Sequence, residues 1–268
     1  MAKRLEGKVA LVTGAGSIGR GWGNGKAVAV LFAREGAKVV ALDINADAAI
    51  ETAAIIASEG GDCTTVTGDV SNSAQVAAAV QTCIDTYGRI DLLHNNVGIV
   101  VNGDPVETSE QDWEKGEVVN LKSAFLTSKY TLPHMQAQGG GSIINVSSIA
   151  GIRWMGVPYV SYAATKAALL GLSRNIAAQY APDNIRCNVI LPGIIDTPLL
   201  RNLLAEIYEG EDMEARIAYR NKQIPMQRMG DAWDVAHAAL YLASDEAKYI
   251  TGAEIPVDGG VSIAALAG

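Results

Sequence analysis

Short apolar runs rich in β-branched residues recur along this chain and alternate with helical patterns. The runs are almost continuously apolar, which is typical of strands that are covered by helices on both faces. They occupy residues 9–13, 39–43, 64–67, 90–94, 142–146, 185–191 and 254–257. The helical patterns between them occupy residues 26–34, 46–58, 73–87, 110–135, 162–180 and 232–243. This order predicts an α/β fold, a doubly wound parallel sheet of about seven strands with helices on both faces.

One segment, residues 194–224, departs from this rhythm, because it mixes several leucines with many charged residues. We interpret it as a substrate lid over a pocket, although a plain surface helix pair would explain the same pattern equally well. No linker, low-complexity stretch or internal repeat divides the 268 residues. We therefore predict a single domain that spans residues 1–268.

The composition excludes several classes of function. A formal net charge of −8 argues against nucleic acid or an anionic membrane surface as the main partner. The three cysteines, Cys63, Cys83 and Cys187, are scattered, so neither a disulfide framework nor a zinc site is indicated. The three histidines share no metal-ligand spacing, and no metal is expected. Because the chain shows neither a signal-peptide core nor an apolar run of membrane-spanning length, a cytoplasmic location is expected.

Polar residues and glycines follow the predicted strands. In a doubly wound sheet, ligands bind beyond the carboxyl ends of the strands. The residues that end or follow the first six runs are Gly14, Asp43, Asp69, Asn95 with Asn96, Ser148, and Pro192 with Gly193. Because all of them would reach one edge of the sheet, we expect the binding site there.

A long glycine-rich loop, residues 13–26, joins the first strand to the first helix. Its Gly14, Gly16 and Gly19 form a G-x-G-x-x-G sequence, and glycines at this place let a pyrophosphate approach the amides at a helix start. This context predicts a Rossmann-type dinucleotide site. Asp43 is placed to accept hydrogen bonds from a ribose 2′-hydroxyl and would repel a 2′-phosphate, so NAD is preferred over NADP. Arg20, within the loop, is the one residue that would favour NADP.

Tyr162 and Lys166 are four residues apart in a predicted helix, so both side chains lie on one face. An ammonium one turn away is expected to lower the pKa of the phenol toward the neutral range. Ser148, at the end of the preceding strand, would present its hydroxyl to the same spot. The three residues together suggest a general acid/base with an activator and a polarising hydroxyl, although Tyr-x-x-x-Lys alone also fits an ordinary exposed helix pair.

The chain resembles the short-chain dehydrogenase/reductase family over nearly its whole length. Besides Ser148, Tyr162 and Lys166, it has further motifs in family order and at family spacing. They are His94-Asn95-Asn96-Val97-Gly98, Gly68-Asp69-Val70, Val119-Asn120, Asn184-Ile185-Arg186-Cys187-Asn188, Leu191-Pro192-Gly193, Thr251-Gly252 and Val257-Asp258-Gly259-Gly260. The resemblance implies an NAD-dependent enzyme that interconverts a secondary alcohol and its ketone by hydride transfer.

The resemblance also implies roles for single residues. Tyr162 is the acid/base, and Lys166 lowers its pKa and binds the nicotinamide ribose. Ser148 binds the reacting oxygen, with Ser147 as the alternative, and Asn120 holds a water that links Lys166 to solvent. Asp69 and Val70 contact the adenine, Asn96 the adenosine-side ribose region, and Ile195 and Thr197 the carboxamide. The full set of expected cofactor contacts is Gly14, Ser17, Gly23, Asn24, Gly25, Asp43, Asp69, Val70, Asn96, Tyr162, Lys166, Pro192, Gly193, Ile195 and Thr197.

Two departures from the family pattern leave alternatives open. The glycine loop is longer than usual, and counting back from residues 32–36 makes Gly23 and Gly25 the glycines at the helix start, with residues 15–22 holding the insertion. A lengthened loop resembles the enoyl-reductase branch, which places its tyrosine seven residues before the lysine, where Tyr159 stands here. Ser148, Asn120 and the Tyr162–Lys166 spacing favour the alcohol branch.

The residues between the serine and the tyrosine indicate a mostly apolar substrate pocket. Its expected members are Ile149, Arg153, Trp154, Met155, Val157 and Tyr159, with Val100, Leu199 and Leu200, and the expected substrate contacts are Ser148, Trp154, Tyr162 and Leu199. This favours a hydrophobic or cyclic alcohol, although Trp154 would serve equally well in packing or in a subunit contact. The family resemblance implies a homotetramer. A non-catalytic dinucleotide-sensing module is the alternative from another class.

Overall fold

The structure, a computed structural model, describes residues 3–207 and 212–264. Its centre is a seven-stranded sheet in which every neighbouring pair of strands is parallel. The strands are β1 (Val9–Thr13), β2 (Lys38–Asp43), β3 (Cys63–Thr67), β4 (Leu92–Asn95), β5 (Gly141–Val146), β6 (Ile185–Pro192) and β9 (Glu254–Val257), while β7 (Ile195–Asp196) and β8 (Gly230–Asp231) form a separate small pair. The order across the sheet is β3-β2-β1-β4-β5-β6-β9.

Helices cover both faces of this sheet. They are α1 (Asn24–Arg34), α2 (Ala46–Ser58), α3 (Ser73–Tyr87), α4 (Glu110–Glu117), α5 (Ser123–Gln138), α6 (Val160–Tyr180), α7 (Pro198–Ile207), α8 (Met213–Lys222) and α9 (Ala232–Ala243). One core cluster joins α1 and α9 to the sheet, and a second joins α3, α5 and α6 to it. The predicted doubly wound parallel fold with about seven strands is confirmed.

The near-continuous apolar runs have the expected physical cause. All five residues of β1 are buried, because α1 and α9 cover one face of the sheet and α3 and α5 the other. Polar residues cap the helices that follow the strands: Asn45 accepts hydrogen bonds from the first turn of α2, and Asn72 from that of α3. Asp231 and Asp234 form a reciprocal capping box at the start of α9.

The predicted helix over residues 110–135 forms and continues to Gln138, but it is not a regular α-helix throughout. Residues Val118–Lys122 form a π-helical turn between α4 and α5, and α5 continues to Gln138. Such turns insert one residue per turn and re-aim the side chains that they carry, and they are frequent at functional sites. The turn carries Asn120, whose side chain is buried and contacts Thr165 of α6.

Other differences concern the ends of elements. Strand β4 begins at Leu92 rather than at residue 90 and includes Asn95, and α6 begins at Val160, before the predicted start. The predicted lid, residues 194–224, contains β7, α7 and α8; residues 208–211 of that prediction lie outside the described residues. Within the described chain, no helix is long and apolar enough to cross a lipid bilayer.

His94 shows how thoroughly the middle of the sheet is buried. Its ring lies in β4 with no exposed surface and packs edge-on against Phe32 of α1, with 6.2 Å between ring centroids. Burial lowers the pKa of this histidine to about 3, so the imidazole is neutral at physiological pH. The residue serves as core packing, and no described histidine, cysteine or carboxylate group gathers around it to bind a metal.

Candidate active site

A cleft of about 550 Å³ runs along the carboxyl ends of the strands, across the point where the strand order reverses between β1 and β4. It extends from the glycine loop, past the ends of β2 and β3, to helices α6, α7 and α8. Every residue that the sequence predicts to contact the cofactor lines it: Gly14, Ser17, Gly23, Asn24, Gly25, Asp43, Asp69, Val70, Asn96, Tyr162, Lys166, Pro192, Gly193, Ile195 and Thr197. Ser148 and Leu199, two of the predicted substrate contacts, line it as well.

The glycine loop leads directly into the first turn of α1. Gly23 is the N-cap of this helix and Gly25 lies buried in its first turn, at the positions that the count along the sequence predicts. A Cβ on Gly25 would collide with the backbone oxygen of Gly14, so the helix start and the strand end pack against each other at a distance that only glycine allows. The amide groups at the start of α1 therefore face the cleft, as an anion site requires.

Two buried polar atoms in this region have no hydrogen-bond partner in the described part of the chain. They are the hydroxyl oxygen of Ser17 in the loop and the side-chain oxygen of Asn24, the first residue of α1. Since both residues line the cleft, a polar ligand such as a pyrophosphate and its attached ribose can satisfy them. Together with the close-packed glycines, they fit a dinucleotide.

Carboxylate and amide groups at the ends of β2, β3 and β4 shape the same end of the cleft. Asp43 accepts hydrogen bonds from the amides of Gly16 (2.8 Å) and Asn45 (2.9 Å), which fixes its carboxylate beside the glycine loop. The Asn96 side chain donates to the Gly14 oxygen (3.2 Å) and braces the loop from the other side. Arg20 is exposed and does not line the cleft.

The extra residues of the glycine loop are anchored on the outside of α1. The Trp22 ring packs on Trp233 of α9, with 4.7 Å between ring centroids, and the Lys26 ammonium lies 5.2 Å from the Trp22 ring centroid. Lys26 is buried, forms an ion pair of 2.6 Å with Glu51 and also donates to the oxygen of Gly21 (3.4 Å). The insertion is thus held against α2 and α9, and Ser17 and Ile18 face the cleft.

At the other end of the cleft, Tyr162 on α6 lies close to the hydroxyl of Ser148, and both side chains line the cleft. The Ser148 oxygen accepts a hydrogen bond from the Ala150 amide (3.1 Å), which leaves its proton available for the tyrosine or for a ligand. The neighbouring Ser147 donates to the backbone oxygen of Lys166 (2.7 Å), so its hydroxyl is used in holding β5 against α6. The geometry therefore favours Ser148 over Ser147 as the polarising serine.

Lys166 is buried one turn after Tyr162. Its ammonium donates to the backbone oxygen of Val146 (2.8 Å) and lies 5.7 Å from the centroid of the Tyr162 ring. Gly98 faces this ammonium, because a Cβ built on Gly98 would lie 3.0 Å from it. The direction of the Lys166 side chain is thus set by Val146 of β5 and by Gly98 after β4, and its ammonium lies near the phenol ring.

The pKa values differ from the sequence-based expectation. Burial raises the pKa of Tyr162, and the hydrogen bond with Ser148 opposes that rise. Burial also lowers the pKa of Lys166 to about 8, because the apolar surroundings disfavour its charge. The expected net lowering of the Tyr162 pKa toward the neutral range is therefore wrong for this structure, because desolvation of the phenolate is the largest effect.

Asn120 connects the π-helical turn to the segment that passes beside Lys166. Its side-chain oxygen accepts from the Ile99 amide (2.7 Å), and its nitrogen donates to the Ile99 oxygen (3.0 Å) and to the Thr165 hydroxyl (3.2 Å). The residue thereby fixes the backbone next to Gly98 and the residue before Lys166. This positions the lysine; the predicted water link stays a prediction.

The wall of the reacting end is mostly apolar, as expected. Its members named from the sequence are Val100, Ile149, Met155, Val157, Tyr159, Leu199 and Leu200. Trp154, predicted as a substrate contact, does not line the cleft and is 62% exposed. Arg153 also points elsewhere, because its guanidinium donates to the backbone oxygens of Val261 and Ala264. The chain turns outward after the short 3-10 turn at Ile149–Gly151, which removes both side chains from the pocket.

The structure adds wall residues that the sequence analysis did not name as site residues. They are Ile18, Val97, Val119, Ile194 and Arg220, with Leu203 and Leu204 from the lid. The amphipathic pattern of α7 would have indicated its leucines, but nothing in the sequence indicates which charged residue of α8 faces inward. The lid interpretation of α7 and α8 is favoured over a plain surface helix pair, because residues of both helices line the cleft.

A protein-family model described as Enoyl-(Acyl carrier protein) reductase matches residues 19–262 of the chain. A solved structure described as a short-chain dehydrogenase/reductase from Burkholderia xenovorans is 47% identical, covers 98% of this chain and 100% of its own, and superposes with a TM-score of 0.95. The chain belongs to the short-chain dehydrogenase/reductase family.

Two curated relatives in this family have named activities. The 2,5-dichloro-2,5-cyclohexadiene-1,4-diol dehydrogenase LinX of Sphingobium indicum is 40% identical over 263 residues, which is 98% of this chain and 99% of that protein. The 3-oxoacyl-[acyl-carrier-protein] reductase FabG of Thermotoga maritima is 40% identical over 266 residues, which is 97% of this chain and 100% of that protein. This short-chain dehydrogenase/reductase is thus an oxidoreductase, and the family uses nicotinamide dinucleotide cofactors, which fit the cleft described above.

Proposed function

We propose that this short-chain dehydrogenase/reductase interconverts a secondary alcohol and its ketone with NAD as the cofactor and Tyr162 as the acid/base. The observation that carries the proposal is the convergence of Tyr162 and Ser148 in the cleft, with the Lys166 ammonium 5.7 Å from the centroid of the phenol ring. Two hydroxyl groups that converge on one spot can bind a single carbonyl or alcohol oxygen. A site for binding a dinucleotide alone would have no use for this arrangement.

The residues of this chain handle the proton and the oxygen. A bound nicotinamide supplies or accepts the hydride. In the reductive direction, the Tyr162 phenol donates a proton to the oxygen of the ketone, and Ser148 donates a hydrogen bond to the charge that develops there. In the oxidative direction, the Tyr162 phenolate takes the hydroxyl proton. Because burial raises the pKa of Tyr162, the reductive form of the residue dominates at neutral pH.

Asp43 supports the choice of NAD. Its carboxylate lies at the end of β2, fixed by the Gly16 and Asn45 amides, and lines the cleft near the glycine loop. A carboxylate there can accept a hydrogen bond from a ribose 2′-hydroxyl and would repel a 2′-phosphate. Arg20, the basic residue of the loop that precedes α1, is exposed and does not line the cleft.

The apolar wall supports a substrate with a hydrophobic or cyclic carbon skeleton. Val100, Met155 and Leu200 line the reacting end, and α7 adds further leucines. A 40% identical relative is named for the oxidation of a ring diol. We therefore propose ring alcohols and ring ketones as the first substrates to test.

The second candidate is reduction of an enoyl thioester with Tyr159 as the acid. It is favoured by the description of the matching family model and by the place of Tyr159, which lines the cleft with its ring centroid 5.5 Å from that of Tyr162. Against it, Ser148 acts on the phenol of Tyr162, whose pKa it lowers against the rise caused by burial, and not on Tyr159.

The test is a steady-state assay of NADH formation with a panel of ring and open-chain secondary alcohols, and of NADH consumption with ketones and an enoyl thioester. Wild type is compared with Tyr162→Phe and Tyr159→Phe, and NADP replaces NAD in a parallel series. We expect turnover of alcohols with NAD that falls about 10²–10⁴-fold in Tyr162→Phe and much less in Tyr159→Phe. Thioester reduction that depends on Tyr159 would favour the second candidate, and tight NADH binding without any turnover would favour a dinucleotide sensor.

We further propose a homotetramer in the cytoplasm, built through exposed helix surface. Phe125 of α5 is 48% exposed although it belongs to a helix whose other face is in the core, and an apolar ring in this place suits a subunit contact. Light scattering should give about four times the chain mass of 28.0 kDa. Phe125→Asp should lower that mass, and a monomer in the wild type would reject the assembly.

A further inference from the structure

Arg220 brings a positive charge to the reacting end of the cleft. It lies near the end of α8, the second helix of the lid, and lines the cleft together with Tyr159 and Leu199. Burial raises the pKa of Tyr159, and the positive charge of Arg220 opposes that rise. Arg220 therefore acts electrostatically on Tyr159. Most of the remaining wall at this end is hydrocarbon, so a charged group here is costly unless it meets a partner.

The described residues do not supply an anionic partner for Arg220 inside the cleft. The acidic residues among those that line the cleft are Asp43 and Asp69, which stand at the ends of β2 and β3, at the nucleotide end. The hydrogen bond that the Arg220 guanidinium makes is to the neutral side chain of Gln223, at 3.5 Å. The cleft is therefore polarised, with carboxylates at the nucleotide end and a guanidinium at the reacting end.

This arrangement points to the chemistry of the missing partner. A guanidinium binds a carboxylate through two parallel hydrogen bonds, and the interaction strengthens when apolar walls exclude water. The Tyr159 hydroxyl lines the cleft at the same place and, with its pKa near 12, keeps its proton for donation at neutral pH. A single guanidinium balances the one charge of a carboxylate, whereas a phosphate monoester carries up to two charges.

We propose that the substrate is a secondary alcohol or ketone with an apolar, ring-sized skeleton and a carboxylate remote from the reacting carbon, and that Arg220 binds this carboxylate. The inference rests on the proposed function, since it names the substrate class of the same site. It gives Tyr159 a role as a hydrogen-bond donor to the substrate, in place of the acid/base role of the enoyl-reductase alternative. Arg220 is then the residue that determines specificity, and Tyr162 with Ser148 performs the proton transfer.

The test uses 3-hydroxycyclohexanecarboxylate and its uncharged counterpart, 3-hydroxycyclohexanecarboxamide. We expect the wild type to favour the acid in kcat/KM by about 10- to 100-fold, the range of a hydrogen-bonded charge pair. Arg220→Met should remove this preference, mainly through a higher KM for the acid. Lys222→Met is the matched control, because it removes an exposed cation from the same helix and should keep the preference.

A non-reacting pair of ligands separates binding from turnover. Cyclohexanecarboxylate should inhibit oxidation of a neutral ring alcohol competitively, more strongly than cyclohexanecarboxamide does, and this difference should disappear in Arg220→Met. Equal inhibition by the acid and the amide in the wild type, or an acid preference that survives in Arg220→Met, would overturn the inference while the proposed function stands. If no alcohol or ketone is turned over at all, the proposed function itself fails, as the separate panel with Tyr162→Phe would already have revealed.

Discussion

The two ends of the cleft are built in different ways. At the nucleotide end, short polar side chains are tied to backbone groups of the strand ends and of the glycine loop, as in the bonds from Asp43 to Gly16 and from Asn96 to Gly14. At the reacting end, the proposed catalytic residues follow β5 and lie on α6, and the side chains of α7 and α8 form another part of the wall. The first end is therefore fixed by backbone geometry, and the second combines a fixed proton-transfer site with a wall that sets specificity.

The difference has a physical cause. Strand ends in a parallel sheet are held in register by the ladder, so residues such as Asp43 and Asn96 cannot shift without disturbing β2 and β4. The lid helices pack through a few leucines against the cleft and lie outside the central sheet, so their inward side chains can vary while the fold is kept. The same scaffold can thus keep one cofactor and accept different substrates.

After Tyr162→Phe, the largest effect should come from removing the hydroxyl of Ser148, which serves only the reacting end. Ser148→Ala is expected to lower kcat by about 10²–10³-fold, the usual cost of losing one donor to a developing oxyanion, with NADH affinity nearly unchanged. Steady-state kinetics and fluorescence titration with NADH measure the two quantities.

Ser147→Ala is the matched control for this variant. It removes the adjacent hydroxyl, which donates to the Lys166 backbone oxygen, and should reduce the free energy of unfolding by about 1 kcal/mol. Its effect on kcat should be far smaller than that of Ser148→Ala. Equal losses of kcat in the two variants would mean that the serine hydroxyls act through the packing of β5 on α6.

The next largest effect concerns NADH binding at the nucleotide end alone. In Gly25→Ala, the added methyl group would collide with the Gly14 backbone oxygen, and α1 or the loop must move. Overpacking of this kind costs about 1–3 kcal/mol, and we expect NADH binding to weaken about 10-fold or more, together with a lower Tm.

Gly171→Ala provides the comparison for the Gly25 variant. It adds the same methyl group to α6 at a position where no other atom lies within 4 Å. This variant should fold as well as the wild type or slightly better, because alanine is the better helix former. NADH affinity that is unaltered in Gly25→Ala would show that the close contact of the loop and the helix is not needed for the dinucleotide.

The sequence predicts the nucleotide end better than the reacting end, and these contacts explain why. The start of α1 at Gly23 follows from counting glycines, because strand, loop and helix are local in the chain. The strand order and the location of the cleft follow from the alternation of elements, and the family motifs identify Ser148, Tyr162 and Lys166. All of these depend on backbone geometry that local sequence determines.

What the sequence misses depends on tertiary packing. The π-helical turn at Asn120 changes a helical period by a single residue, too little for a pattern to reveal. The outward turn of Trp154 and the inward position of Arg220 depend on how separate segments pack. The direction of the Tyr162 pKa depends on burial, which spacing along a helix does not report.

The next smaller effect concerns the preference for NAD over NADP. Asp43→Asn removes the charge at the ribose while keeping a side chain of similar shape, and it should lower kcat/KM with NAD about tenfold, the order of one charge-assisted hydrogen bond. The same variant should raise kcat/KM with NADP, because a repelling carboxylate is gone. Asp69→Asn, also in the cleft but placed toward the adenine, is the control and should alter the two cofactors equally. A ratio of NAD to NADP activity that stays constant in Asp43→Asn would assign the preference to other residues.

The smallest expected effect is in the pH dependence of kcat/KM, which tests the reacting end of the cleft. Because burial raises the pKa of Tyr162, the phenolate needed for oxidation is the minor form at neutral pH, and its fraction grows about tenfold for each pH unit. We expect kcat/KM for alcohol oxidation to climb with this slope above neutral pH, while ketone reduction, which uses the phenol, stays level over the same range. Lys166, with its pKa near 8, loses its charge as the pH rises, and the climb should become shallower above that value, because the neutral amine no longer favours the phenolate.

The profile is measured in a constant-ionic-strength buffer series, with Tyr162→Phe as the control whose residual rate should not follow the slope. An oxidation rate that is level with pH in the wild type would take the proton-transfer role away from Tyr162.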